Sequence, residues 1–259
     1  MSNRIRETLQ AVHHTDTYDR KYTWMKPVHP CVKLLITLFF LMMLLSFHKY
    51  NLAGTLLMSA YLIVVFQMGE LSLINTLCRL KELLLLLFLV GIWNLFLDRN
   101  IIAYWGKIPV SGGVLSFCTL YLKGVFALLS SYALLMTTGI EGICYALQVF
   151  HMPGILIAVV LLIYRYFILF AREVERVSLA YSMRSNGQKG IQIRAWGSMV
   201  GTMLLRSVDR AETVYESMEL RGYCNKTILR IPYRDNRRRS ICYAMFMVVF
   251  IFVLRSIYG

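Results

Sequence analysis

Acidic side chains are scarce in this chain, and the places where they are missing matter most. Asp and Glu number 14 against 28 Lys and Arg, and the long apolar runs contain almost none. Proton- and sodium-coupled carriers place ionisable groups near the bilayer midplane, so a stand-alone coupled carrier or channel finds few ligands here. The P-loop pattern G-x-x-x-x-G-K-[ST] is also missing. Neither "NGQKG" nor "GKIPVSGG" has its spacing, which excludes nucleotide hydrolysis by that route. The six cysteines, Cys31, Cys78, Cys118, Cys144, Cys224 and Cys242, include no C-x-x-C pair. Most lie in or beside apolar segments, where a thiol behaves as a small hydrophobe, so neither a disulfide framework nor a cysteine metal site is indicated. No Ser-His-Asp, Cys-His or paired-carboxylate constellation stands out, and the chain reads as a non-catalytic protein without a cofactor. The first 30 residues have no apolar core of the secretory-signal kind. The N-terminus is expected in the cytoplasm.

Apolar residues dominate what remains. They make up 58% of the chain, only 16% is charged, and the mean hydropathy is +0.57. Soluble domains sit near half apolar with about a quarter charged. The chain therefore reads as an integral membrane protein. Spanning helices need roughly 20 mostly apolar residues, and the candidates are 32–47 ("VKLLITLFFLMMLLSF"), 52–68, 83–97 extended backwards through "LINTLCRLKE", 114–137 and 241–258. A sixth run, 155–170 ("ILIAVVLLIYRYFILF"), is interrupted by Arg165, which reads as a headgroup-level anchor beside Tyr164 and Tyr166. Lys123 reads as a snorkelling side chain within the fourth candidate.

The net charge of +14 suggests nucleic acid at first sight, but its location argues for a membrane surface. Fourteen of the 28 Lys and Arg lie between Arg172 and Arg239, including "RDNRRR", and the positive-inside rule places such a block in the cytoplasm. Arg4, Arg6, Arg20, Lys21 and Lys26 argue for the same side. Parity then favours five spans, with 155–170 in the inner leaflet or packed against a partner, although a re-entrant pair would restore parity too. The layout expected is a cytoplasmic segment 1–31, a four-helix membrane region 32–138, a coupling-helix domain 139–239 and a last span 240–259. The fold class is an all-α integral membrane protein with five transmembrane helices and amphipathic coupling helices before the last span.

The basic block has helical periodicity. Ile193, Trp196, Val200, Met203, Leu204, Ala211, Val214, Tyr215 and Met218 recur at three- and four-residue steps, predicting one long amphipathic helix. Before it, Val174, Val177, Ser178 and Tyr181 share a face, with Gly187 and Gly190 as the helix stop. Each helix closes on a Ser-Met element, "LAYSMRSNG" at 179–187 and "VYESMELRGY" at 214–223. A C-terminal Arg followed by Gly is ordinarily a cap, since the cation complements the helix dipole. Two copies in one basic block suggest paired contact points on a twofold or pseudo-twofold partner. "HHTDTYD" offers His13, His14, Asp16 and Asp19 to a divalent metal, but a solvated tail is the plainer reading.

The run "AWGSMVGTMLLRSVDRAETVYESMELRGY", with "VHPCVKLL" before the first span and "MPGILIAVVLLIYRYFILFAREVERV" before the first motif, resembles the T component of energy-coupling factor transporters. The cobalt-type member, CbiQ, is the most similar. That resemblance implies a membrane scaffold of a bacterial or archaeal cell membrane, without metal or cofactor of its own. It implies two ATP-binding cassette ATPases docked on short arginine motifs and a substrate-binding membrane subunit, the S component, for cobalt uptake. Carried over by position, the ATPase-docking residues are Arg184, Ser185 and Gly187 in the first motif and Leu220, Arg221 and Gly222 in the second, with Leu where the family usually has Ala. Met152, Pro153, Leu162 and Ile163 are expected to meet the S component.

Overall fold

The computed structural model describes residues 28–48, 51–97, 101–105, 108–185, 192–223 and 237–256. They fall into two compact units, one drawn from 28–146 with 237–256 and the other from 147–223.

The first unit is built of apolar helices. Helix α1 (Pro30–Ser46) starts on His29, whose Nδ1 accepts from the Cys31 amide at 3.2 Å. Proline at its first position costs nothing there, because that amide would be unpaired in any case. Asn51 caps α2 (Leu52–Leu57) by accepting from the Gly54 amide at 3.0 Å. After a break at buried Met58 the run continues as α3 (Ser59–Met68), and α4 (Leu73–Leu97) follows. A short antiparallel ribbon, β1 (Ile101–Trp105) and β2 (Ile108–Ser111), pairs Ile101 with Ser111 and Trp105 with Ile108. It is the one strand pair among the described residues, and its β-branched and aromatic content suits a strand.

Helix α5 (Gly112–Val149) follows the ribbon, and α8 (Arg237–Ser256) closes the first unit. Gly139, at φ 67° and ψ 166°, breaks α5 internally. A break of this kind interrupts the i to i+4 ladder and frees carbonyls that must find other donors. The Lys33 ammonium, only 3% exposed, donates to the Thr137 carbonyl at 2.9 Å. Lys123 likewise finds a protein partner in place of a headgroup: its Nζ donates to the Phe47 carbonyl, at the C-terminal end of α1 where helix carbonyls lack partners.

The core of this unit joins α1, α3, α5 and α8 through Phe40, Leu44, Tyr61, Phe66, Leu129, Met247 and Ile251. Phe40 stacks on Tyr61 at 4.1 Å. Buried hydroxyls turn back on their own helices, Thr37 to Leu34 O and Ser130 to Ala127 O, as a medium without water requires.

Among the described residues three helices are long and apolar enough to cross a bilayer: Gly113–Val149, Gly154–Arg184 and Arg238–Ser256. Pro30–Ser46 and Leu52–Met68 are apolar but shorter. The run 155–170 opens an unbroken 31-residue helix, α6 (Gly154–Arg184), that also carries the first motif. Arg165 interrupts the apolar run but not the helix, and its guanidinium lies 6.0 Å from the Tyr166 ring. The first long helix also ends at Arg184, before Gly187 and Gly190, which lie outside the described residues.

Candidate functional site

The second unit is a helical hairpin of α6 and α7 (Ile193–Leu220). The helices run antiparallel. Near the turn the Gln192 amide donates to the Tyr181 hydroxyl at 3.4 Å. Further along, Arg206 donates to a Glu173 carboxylate oxygen, and Arg176 lies 3.8 Å from the same carboxylate. At the far end Tyr223 and Met218 line a common groove with Ile155 and Ala158. The periodic stripe of α7 is real but only half used. Met203, Val214 and Met218 are half-buried, while Trp196, Val200, Leu204 and Tyr215 stay exposed, and no residue of α7 is fully buried.

Antiparallel pairing separates the two motifs. Arg184 is the last residue of α6, at the hairpin turn, and Arg221 caps α7 at the opposite end. A 28-residue helix rises about 42 Å.

The backbone at the second motif is a full cap. Gly222 sits at φ 82°, its amide donates to Glu219 O at 2.8 Å, and the Tyr223 amide donates to Met218 O at 2.9 Å. This paired pattern satisfies the last carbonyls of α7 and explains the glycine. It leaves the arginine unexplained. The guanidinium of Arg221 has no hydrogen bond or ion pair among the described residues, and the same holds for Arg184. Both point into solvent beside a large apolar residue that is also exposed, Met183 at 84% and Leu220 at 89%. Met183 escaped sequence reasoning. The repeated Met-Arg and Leu-Arg order was its signal, hidden because Met183 fits helical periodicity equally well.

The other expected site residues are placed as follows. Ser185 follows α6 with its hydroxyl shielded and unpaired among the described residues, and Gly187 lies outside them. Met152 and Pro153 lead exposed into α6, Ile163 is exposed, and Leu162 is half-buried beside α7. The structure thus brings Leu162 and Ile163 together on the α6–α7 hairpin. Among the described residues no three His, Cys, Asp or Glu side chains gather to hold a metal, and 13–19 lie outside that set.

Apolar helices of bilayer length, together with an exposed basic hairpin, define a multi-pass membrane protein. The model of the CbiQ family, cobalt transport proteins, matches residues 22–229, most of the chain, and the protein belongs to that family. A comparison with individual curated proteins finds no match. Family membership makes it a cobalt transport membrane protein, a transporter component that works with other subunits.

Proposed function

We propose that this protein is the transmembrane scaffold subunit of an importer of the energy-coupling factor type, in a bacterial or archaeal cell membrane. It would couple ATP hydrolysis by two ATPases to a substrate-binding S component that takes up cobalt ion. In this reading the chain is neither the motor nor the selector and catalyses nothing. The observation that carries it is the pair of exposed tips, Met183–Arg184 and Leu220–Arg221, about 42 Å apart on one hairpin. An unpaired guanidinium beside an exposed apolar side chain suits a groove with a carboxylate at its base, because the planar fork holds the carboxylate bidentately and stays charged when desolvated. The S component would meet α6 through Met152, Pro153, Leu162 and Ile163.

The hairpin belongs on the cytoplasmic side in this reading, although α6 is long and apolar enough to span. The half of α7 running beside the apolar half of α6 carries Asp209, Arg210, Glu212, Glu216 and Glu219. Dragging five charges to the bilayer centre would cost on the order of 15 kcal/mol on the insertion scale. The pair therefore lies along the inner leaflet, and the five crossings are α1, α2 with α3, α4, α5 and α8. Since another subunit selects the cargo, the same scaffold would serve a nickel, biotin or shared vitamin importer. A stand-alone secondary transporter is the weaker reading.

Arg184→Ala and Arg221→Ala, singly and together, test the docking role by retention of co-expressed ATPase subunits after mild detergent extraction. Losing a desolvated charge pair costs about 2 to 5 kcal/mol of binding, so retention falls in each single variant and further in the double, with lysine a poor substitute. Full retention and transport in the double variant would reduce both arginines to helix caps.

A further inference from the structure

The groove between α6 and α7 has a volume of about 680 Å³, inside the range of small-molecule sites. Its charges are sorted. On α7, Arg206 and Arg210 line it, whereas Asp209, Glu212, Glu216 and Glu219 do not. The single acid that α6 contributes is Glu173, and its carboxylate is already held by Arg206 and faced by Arg176. Arg210 has no ion pair or hydrogen bond among the described residues. The groove is thus an apolar trough with an uncompensated cation toward one end.

The trough follows α6 from Ile155 to Glu173, about 27 Å at helical rise. A phospholipid is about as long as half a bilayer is thick, roughly 20 Å, so one fits along the trough, its long axis following the hairpin and not the membrane normal. Its walls combine aliphatic side chains such as Leu162, Val214 and Met218 with the amphipathic rings of Tyr166, Tyr215 and Tyr223. We propose that this groove binds one anionic phospholipid, the phosphate at Arg206 and Arg210 and an acyl chain along Leu162, Val214 and Met218. Charge complementarity selects the ligand: a neutral acyl chain has no use for Arg210, and a free phosphate has none for the apolar trough. The inference needs only the hairpin at a membrane surface, and stands apart from the ATPase-docking role of Arg184 and Arg221. Leu162 and Ile163 line this groove as well, so bound lipid would form part of the surface the S component meets, while Met152 and Pro153 stay clear of it.

The test uses the full chain, purified with its partner subunits and reconstituted into phosphatidylcholine vesicles, with the four native tryptophans replaced by phenylalanine. Tyr215→Trp puts a reporter on the groove and Met245→Trp, exposed on α8 and not a groove-lining residue, a control. Ten mole per cent of brominated phosphatidylglycerol or brominated phosphatidylcholine is then added. The groove reporter should be quenched at least about threefold more by the anionic lipid, and the control equally by both. Arg210→Gln should abolish the excess and Arg210→Lys should retain it, since a phosphate accepts either cation. Equal quenching at the groove by both lipids, no quenching because protein fills it, or an excess that survives Arg210→Gln would each overturn the proposal. Circular dichroism showing unchanged helix content in Arg210→Gln keeps loss of fold from passing as support.

Discussion

The two units of this protein treat their apolar side chains in opposite ways. In the first, Phe40, Leu44, Met58, Met247 and Ile251 are wholly enclosed, and the large side chains interlock across four helices. In the hairpin, α7 buries nothing completely and α6 only Ile157 and Ala158. Charge follows the same division. Lys33 and Lys123 are each tied to a carbonyl freed at a helix break or helix end, whereas Arg184, Arg210 and Arg221 have no ion pair or hydrogen bond among the described residues. The first unit encloses a core and turns other large apolar side chains such as Met42, Leu45 and Trp93 outward, as a lipid-facing surface does, without leaving Lys33 or Lys123 unpaired. A part that leaves both unsatisfied is built for something else to complete.

The largest effects should come from breaking the first unit. Phe40→Ala removes a fully enclosed ring stacked on Tyr61 and is expected to destabilise by about 3 to 5 kcal/mol. Leu204→Ala, on the exposed face of α7, should change stability by less than about 0.5 kcal/mol. Thermal unfolding in detergent compares the two, and equal losses would erase the contrast between the units. Weakened ATPase retention in the arginine variants comes next in size.

A smaller effect is expected at Gly222. With φ at 82°, alanine there should cost roughly 1 to 2 kcal/mol of local stability, seen as faster hydrogen exchange in the last turn of α7. If the tip docks on a partner, ATPase retention should fall as well, because a frayed end no longer positions Arg221. Unchanged exchange would mean that the cap does not hold the end of the helix. The smallest effect belongs to Arg206→Ala. Its partner Glu173 is partly exposed and Arg206 more so, and solvent screening limits such a pair to about 1 kcal/mol or less. A loss of several kcal/mol in the melting of the full chain would show that α6 and α7 depend on this pair more than its exposure suggests.

Much of the helical content was legible from periodicity. The stripe from Ile193 to Met218 announced α7, and the position of Arg221 just past its end followed from glycine at the next position. The site was legible in part. The repeated Ser-Met element, each copy with an arginine near a glycine, pointed to Arg184 and Arg221, but Met183 and the Arg206–Glu173 pair were not legible, because exposure and a pairing across 33 residues leave no local signature. Lys33 was overlooked for a related reason. Near the start of an apolar run a lysine reads as snorkelling, and only the break at Gly139, a hundred residues away, supplies the carbonyl that lets it be buried.

Composition and period by themselves determined that this is a multi-helical membrane protein, that its positive charge gathers before the last helix, and that two arginines close two amphipathic helices. Those properties depend on residues close in sequence, through helical spacing and the cost of charge in hydrocarbon. Tertiary structure decided the rest. It made 155–184 one continuous helix, turned α7 back along it so that the arginine tips lie at opposite ends, and left a cation-lined groove between them. Each of these depends on which distant side chains meet, and helical periodicity reports only the face a residue occupies, not what that face will find.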